Sequence, residues 1–228
     1  MNWRIELSKL ADDGEDFVKF SKPIMNTSKK LLGVRTPKLR QFAKKMANEI
    51  SSHAEMDEFL DEVDDKVYEE VVLAGLMINS VKLTPEEKIE LTRKYLDKVD
   101  SWAEVDIFVE KKPKYQTELY WNFAVENMES NREFLVRYGV IVLMSNFLTD
   151  EKLDQVFGEL RKIKSDKYYV KMGMAWLYSA AAIKFYDKTI AELQRGEIGE
   201  WTRNKAFQKM LESYRITDEQ KKEVRSIK

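Results

Sequence analysis

The chain has no cysteine and a single histidine, His53. Without thiols there can be no disulfide, no thiolate nucleophile and no cysteine-ligated zinc or iron–sulfur centre. With one histidine in a polar stretch, a His-rich metal site and a Ser-His-Asp triad both lack the residue on which they turn. Glycine and proline are scarce at 8 and 4 residues, too few to punctuate the turns of a sandwich or barrel. Long apolar runs are missing too. The N-terminus, MNWRIELSKLADDGED, carries charges every few residues where a signal peptide would be apolar, so the expectation is a cytoplasmic protein with no membrane contact. A net charge of −1 means that any nucleic-acid contact must come from segregated basic residues rather than a global positive field. Candidates are Lys29, Lys30, Arg35, Lys38 and Arg40, with Lys111, Lys112 and Lys114 in mid-chain, while acid collects over residues 57–65.

What is present favours helix. Hydrophobic residues make up 43% and charged residues 35%, enough apolar material for a sizeable core beneath a charged surface. Thr84-Pro85-Glu86-Glu87 combines an N-cap, a first-turn proline and a capping-box glutamate, and Thr217-Asp218-Glu219-Gln220 repeats the pattern. Thr36-Pro37 and Thr149-Asp150-Glu151 open further helices, and apolar residues then recur at i, i+3, i+4 and i+7. The pattern predicts helices near 2–11, 37–50, 54–62, 67–82, 85–98, 101–110, 115–128, 132–147, 150–162, 167–185, 187–195, 201–214 and 218–227. The short connections make neighbours antiparallel.

A period runs through these helices. Val136-Arg137-Tyr138-Gly139 recurs thirty-four residues later as Val170-Lys171-Met172-Gly173, a basic residue recurs at Lys205, and Val72-Leu73-Ala74-Gly75 shares the frame. A glycine inside a helix costs about 1 kcal/mol relative to alanine, so its recurrence points to close helix approach. The reading is an all-α chain, an α-α superhelix (solenoid) of HEAT-like two-helix repeats forming a single domain over 1–228, with residues 14–32 partly irregular. The concave row of such a stack binds extended partners. The helices starting near 101, 132, 167 and 201 are loaded with Trp102, Asp106, Arg137, Tyr138, Tyr168, Tyr169, Lys171, Trp176, Trp201, Arg203 and Lys205. Rings interleaved with cations suit nucleic acid, although any single tryptophan is more readily read as core packing.

The segments LLGVRTPKLRQFAKKM, DSWAEVD, REFLVRYGVIVLM, YYVKMGMAWLYSAAAIKF and TRNKAFQKMLESYRI resemble successive stretches of the AlkD-like DNA alkylation repair family, in family order. The resemblance implies a HEAT-like stack that grips duplex DNA and hydrolyses the N-glycosidic bond of 3- or 7-alkylpurines as a monomer, with no metal and no cofactor. Matching positions imply Asp106 as the catalytic carboxylate, Trp102 and Trp176 as the sugar-facing indoles, and Arg137 as a phosphate contact. Lys171, Arg203, Lys205, Tyr138 and Tyr169 join them as DNA-binding candidates. The chemistry suits these residue types: an alkylated purine leaves readily, so the barrier is the oxocarbenium-like sugar. A carboxylate stabilises that cation and orients water, and each indole face adds about 0.5–2 kcal/mol of cation–π attraction. No Schiff-base lysine stands out, which favours a monofunctional glycosylase.

The chain departs from the family pattern at three places. Ala103 follows Trp102 where active relatives pair two tryptophans, and Glu104 adds a negative charge beside Asp106, opposing phosphate approach. FVKFSKPIMNTSKKLLG, with Pro23, Asn26, Thr27 and Ser28, reads as a loop where active relatives carry a short aromatic-bearing helix. Two alternatives therefore stay open beside the glycosylase: a DNA-binding homologue with impaired catalysis, and a HEAT-repeat scaffold for protein partners.

Overall fold

The computed structural model describes residues 2–11, 14–110 and 118–227. Among them the secondary structure is helical, apart from one isolated parallel bridge between Lys30 and Val67. Fourteen helices follow in order: α1 (Trp3–Lys9), α2 (Gly14–Met25), α3 (Thr36–Ala47), α4 (His53–Glu62), α5 (Tyr68–Ser80), α6 (Pro85–Asp97), α7 (Trp102–Phe108), α8 (Glu118–Met128), α9 (Glu133–Asn146), α10 (Leu153–Lys162), α11 (Tyr168–Lys184), α12 (Tyr186–Gln194), α13 (Glu200–Glu212) and α14 (Asp218–Ile227). No helix among the described residues is long and apolar enough to cross a membrane. The mid-chain lysines Lys111, Lys112 and Lys114 lie outside the described residues, as does the start expected at 115.

Contacts gather the chain into two compact units, Met1–Glu110 and Lys111–Lys228. In the first, α5 packs between α3 and α7, while α4 and α6 form the adjoining layer. α5 is buried along nearly its whole length, Tyr68 to Ile78, so its apolar residues follow no single stripe. In the second, α9, α11 and α13 lie side by side, with α8 against α9, α12 against α11 and α14 against α13. Stacked α-α pairs of this kind are the packing of helical-repeat superhelices, and the chain is all-α as expected.

The glycine frame has the predicted purpose at two of its three positions. A methyl group on Gly139 would lie 2.4 Å from the Ala124 carbonyl oxygen, and one on Gly75 would lie 2.8 Å from the Tyr95 ring. At Gly173 the nearest atoms, from Arg137 and Val140, stand at 3.5 Å, an ordinary contact. The helix starts are equally concrete. Thr84 and Glu87 close a reciprocal capping box, and Thr217 and Gln220 exchange the same pair of bonds at α14.

The N-terminal segment corrects the loop reading over residues 17–25. Residues 14–25 form helix α2 with Pro23 inside it, and irregular chain begins only at Asn26, whose φ is 50°. Pro23 falls in the last turn, where it withholds a backbone donor from the Lys19 carbonyl of the preceding turn. The following stretch is fastened from within unit 1. The buried Glu69 carboxylate accepts bonds from the backbone N–H groups of Leu32, Gly33 and Val34 at 2.8–3.2 Å. Gly33 takes a φ of 91°, a left-handed conformation that favours glycine.

Candidate functional site

In unit 1 the candidates sit on the short helix α7. Ser101 caps it, and Glu104 completes a capping box by accepting from the N–H groups of Asp100 and Ser101 at 2.8 and 3.0 Å. Trp102 and Asp106, one turn apart, are both half-buried. The Trp102 indole N–H donates to the Ile24 carbonyl at 2.9 Å. That carbonyl belongs to the last turn of α2 and has no helical donor left to pair with, so the tryptophan fixes the end of α2 against the start of α7. The Asp106 carboxylate lies near Tyr68, whose phenol is held far above its usual range by burial and then by Glu104, Glu69, Asp100 and Asp106. The Tyr68 hydroxyl is buried without a hydrogen-bond partner among the described residues.

Glu104, expected to place charge beside Asp106 at the surface, is instead in the core at 0% exposure. Its partner is Lys29, also expected at the surface as a DNA contact. The Lys29 ammonium is buried, 2.9 Å from Glu104, 3.0 Å from Asp100 and 2.7 Å from the Lys98 carbonyl. Asp100 in turn accepts from the Thr27 and Ser28 hydroxyls, both at 2.6 Å, and from the Ser28 N–H at 3.0 Å. Burial pushes the Glu104 carboxyl up to about 7 against the opposing pull of Lys29. Burial also acts to raise Asp100, but bonds from Ser28, Thr27 and Lys29 outweigh it and hold that carboxyl below the usual range. The result is an ionic latch joining the residue 27–30 stretch to the start of α7. Of the other early cations, Lys30, Arg35 and Arg40 are exposed, and Lys38 is half-buried.

Unit 2 divides its candidates between core and surface. Arg137 is only 5% exposed, and its guanidinium donates to the Tyr169 carbonyl at 2.8 Å, joining α9 to the first turn of α11. Tyr138 faces the core with its ring against Phe123, and burial raises its phenol. Tyr169 is half-buried between Phe134 and Tyr168, and burial raises its phenol as well. Lys171, Arg203 and Lys205 are half-buried on α11 and α13. Lys205 donates to the Gln208 amide oxygen at 2.9 Å. None of these three cations, nor Lys167 at the start of α11, forms an ion pair among the described residues, although Asp166 and Glu200 are close in sequence. Elsewhere in unit 2, Lys152, Arg161, Lys162, Lys188 and Arg195 are each paired to a carboxylate, whereas Lys164, Lys184, Lys209, Arg215, Lys221, Lys222 and Arg225 form no ion pair among the described residues.

Aromatic rings accompany these cations. Trp176 on α11 is 39% exposed, and its indole N–H has no hydrogen-bond partner among the described residues. Tyr168 and Trp201, at the starts of α11 and α13, are 52% and 40% exposed, with ring centroids 5.8 Å apart. The Lys171 ammonium sits 4.9 Å from the Trp201 ring centroid. The sequence carried both rings among the aromatic load of these helices; their contact needed the packing of α11 on α13. Among the described residues no cluster of His, Asp and Glu could hold a metal ion.

No curated protein and no solved structure matches the chain. The family model described as DNA alkylation repair enzyme matches residues 5–210, from α1 through most of α13. The chain belongs to the DNA alkylation repair enzyme family.

Proposed function

We propose that the protein binds duplex DNA through the α11 and α13 face of unit 2 and hydrolyses the N-glycosidic bond of 3- or 7-alkylated purines. The observation that carries the binding is that Lys171, Arg203 and Lys205 form no ion pair among the described residues, on helices that also expose Trp176 and Trp201. Cations left unneutralised by the protein are available to phosphates, and each phosphate contact releases counterions. Arg137 and Tyr138 enter this proposal as packing residues, because burial and the Tyr169 carbonyl commit them to the core. Charge reversal at Lys171 and Arg203 tests the reading. The double variant should bind duplex DNA weakly at low salt, whereas undiminished affinity would remove the α11 and α13 face from the account.

In the proposed chemistry Asp106 on α7 is the carboxylate and Trp102, one turn before it, is the indole. The bond between the sugar C1′ and the cationic purine nitrogen breaks, with the electron pair leaving on the base, which departs neutral. Water adds to C1′ and gives up a proton. The carboxylate offsets the charge that develops on the sugar. The burial of Arg137 favours a second reading, in which half-buried Lys171, Arg203 and Lys205 take over the phosphate contact and the protein holds DNA without releasing a base. The two readings part on base release.

A further inference from the structure

The Tyr168–Trp201 pair is not used by the reading above. Seven large rings in unit 2, Trp121, Phe123, Tyr138, Phe147, Phe157, Tyr178 and Phe207, belong to the core. Tyr168 and Trp201 hold half or nearly half of their surface in solvent while touching each other. Each stands in the first turn of its helix, and Tyr169 supports Tyr168 from behind with its ring edge-on at 5.1 Å. Two exposed rings held by neighbours cost solvation without filling the core, an arrangement expected of a binding surface. The surrounding charge selects the ligand. Lys171 lies against the Trp201 ring and Lys167 stands one residue before Tyr168, both without acidic partners among the described residues, while the nearby Glu133 carboxylate is taken up by the Tyr169 N–H at 2.7 Å.

We infer that Tyr168 and Trp201, set edge to face, form a stacking platform for an unpaired nucleobase, with Lys167 and Lys171 holding the flanking phosphates. This rests on the reading of the α11 and α13 face as the DNA-binding surface and names its substrate class: duplexes with an extruded or bulged nucleotide. A base inside an intact duplex is stacked on its neighbours and offers no face, whereas an unpaired base offers two. Ring stacking of this kind is indifferent to which base is present.

The test compares two duplexes at low salt, one fully paired and one with a single bulged 2-aminopurine, measuring affinity and the fluorescence of the probe. The wild-type protein should prefer the bulged duplex by about 5- to 30-fold, the equivalent of about 1–2 kcal/mol for one stacked base, and should quench the probe. The Y168L/W201L variant should lose the preference and the quenching while keeping its affinity for the paired duplex, with circular dichroism confirming an unchanged helical fold. W201F, which keeps a ring, should restore part of the preference relative to W201L. Equal wild-type affinity for both duplexes would overturn the platform and leave the DNA-binding face intact. A preference that survives in Y168L/W201L would also overturn it, because the unpaired base would then be held elsewhere. Failure to bind either duplex would overturn both readings, and would suit a face that holds a protein.

Discussion

Replacing Lys29 by methionine probes the latch beneath α7. The substitution removes an ammonium that contacts Glu104, Asp100 and the Lys98 carbonyl at 2.7–3.0 Å, and it leaves two carboxylates facing each other in a buried site. Breaking one side of a buried ion pair costs about 3–5 kcal/mol. The cost here should depend on pH, because Glu104 can escape by taking up a proton. In the wild-type protein its carboxyl is already raised from 4.5 to about 7 by burial. The folded state therefore holds that proton more tightly than the unfolded chain. The associated stability is complete below pH 4.5, is lost as pH rises through about 7, and amounts to about 3 kcal/mol. Without Lys29 the carboxyl titrates higher still. Above pH 7 the wild-type group ionises while the variant's stays protonated, so the variant falls behind by about 1.4 kcal/mol per pH unit. Asp100, held below the usual carboxylate range, stays ionised throughout this window. Urea unfolding followed by circular dichroism should give a destabilisation of about 3–5 kcal/mol at pH 8.5, smaller by about 1–2 kcal/mol at pH 6. Equal losses at the two pH values, or a larger loss at pH 6, would refute the coupling between Lys29 and Glu104.

Other consequences follow from single contacts. Gly139→Ala drives a methyl group toward the Ala124 carbonyl oxygen, so its helix-propensity gain should be outweighed and thermal unfolding should reveal a loss of about 2–3 kcal/mol. Trp102→Phe removes the donor to the Ile24 carbonyl; hydrogen exchange should quicken in the last turn of α2 while the rest of unit 1 stays protected. Arg203→Ala and Lys171→Ala should each lower the slope of log affinity against log salt by about 1, and a slope unchanged in both would exclude them as phosphate contacts.

The parts of the fold that sequence alone made legible are those written in local chemistry. Thr84 and Thr217 announced their helices because a capping box needs only residues three apart. Helix α2 was hidden because Pro23 and Asn26 read as loop, while the donor that satisfies its Ile24 carbonyl comes from Trp102, far along the chain. Glu104 was misread for a related reason. Its S-x-x-E spacing from Ser101 was a visible capping-box signal, but its burial follows from Lys29, which no local pattern ties to it. Arg137 shows the converse. The repeat placed it correctly on α9, and only the packing of α9 on α11 turns its guanidinium to a backbone carbonyl. Lys171, Arg203 and Trp176 were legible as candidates because charged and aromatic residues on α11 and α13 stood out in the sequence, and each is at least partly exposed.

The most direct measurement is the release of free base from DNA carrying 7-methylguanine, followed over time with wild-type protein and with Asp106→Asn. Wild-type protein should release the base, Asp106→Asn should lose that release, and both should retain duplex binding. No release from the wild-type protein, or equal release by the two, would contradict the assignment of glycosidic hydrolysis to Asp106.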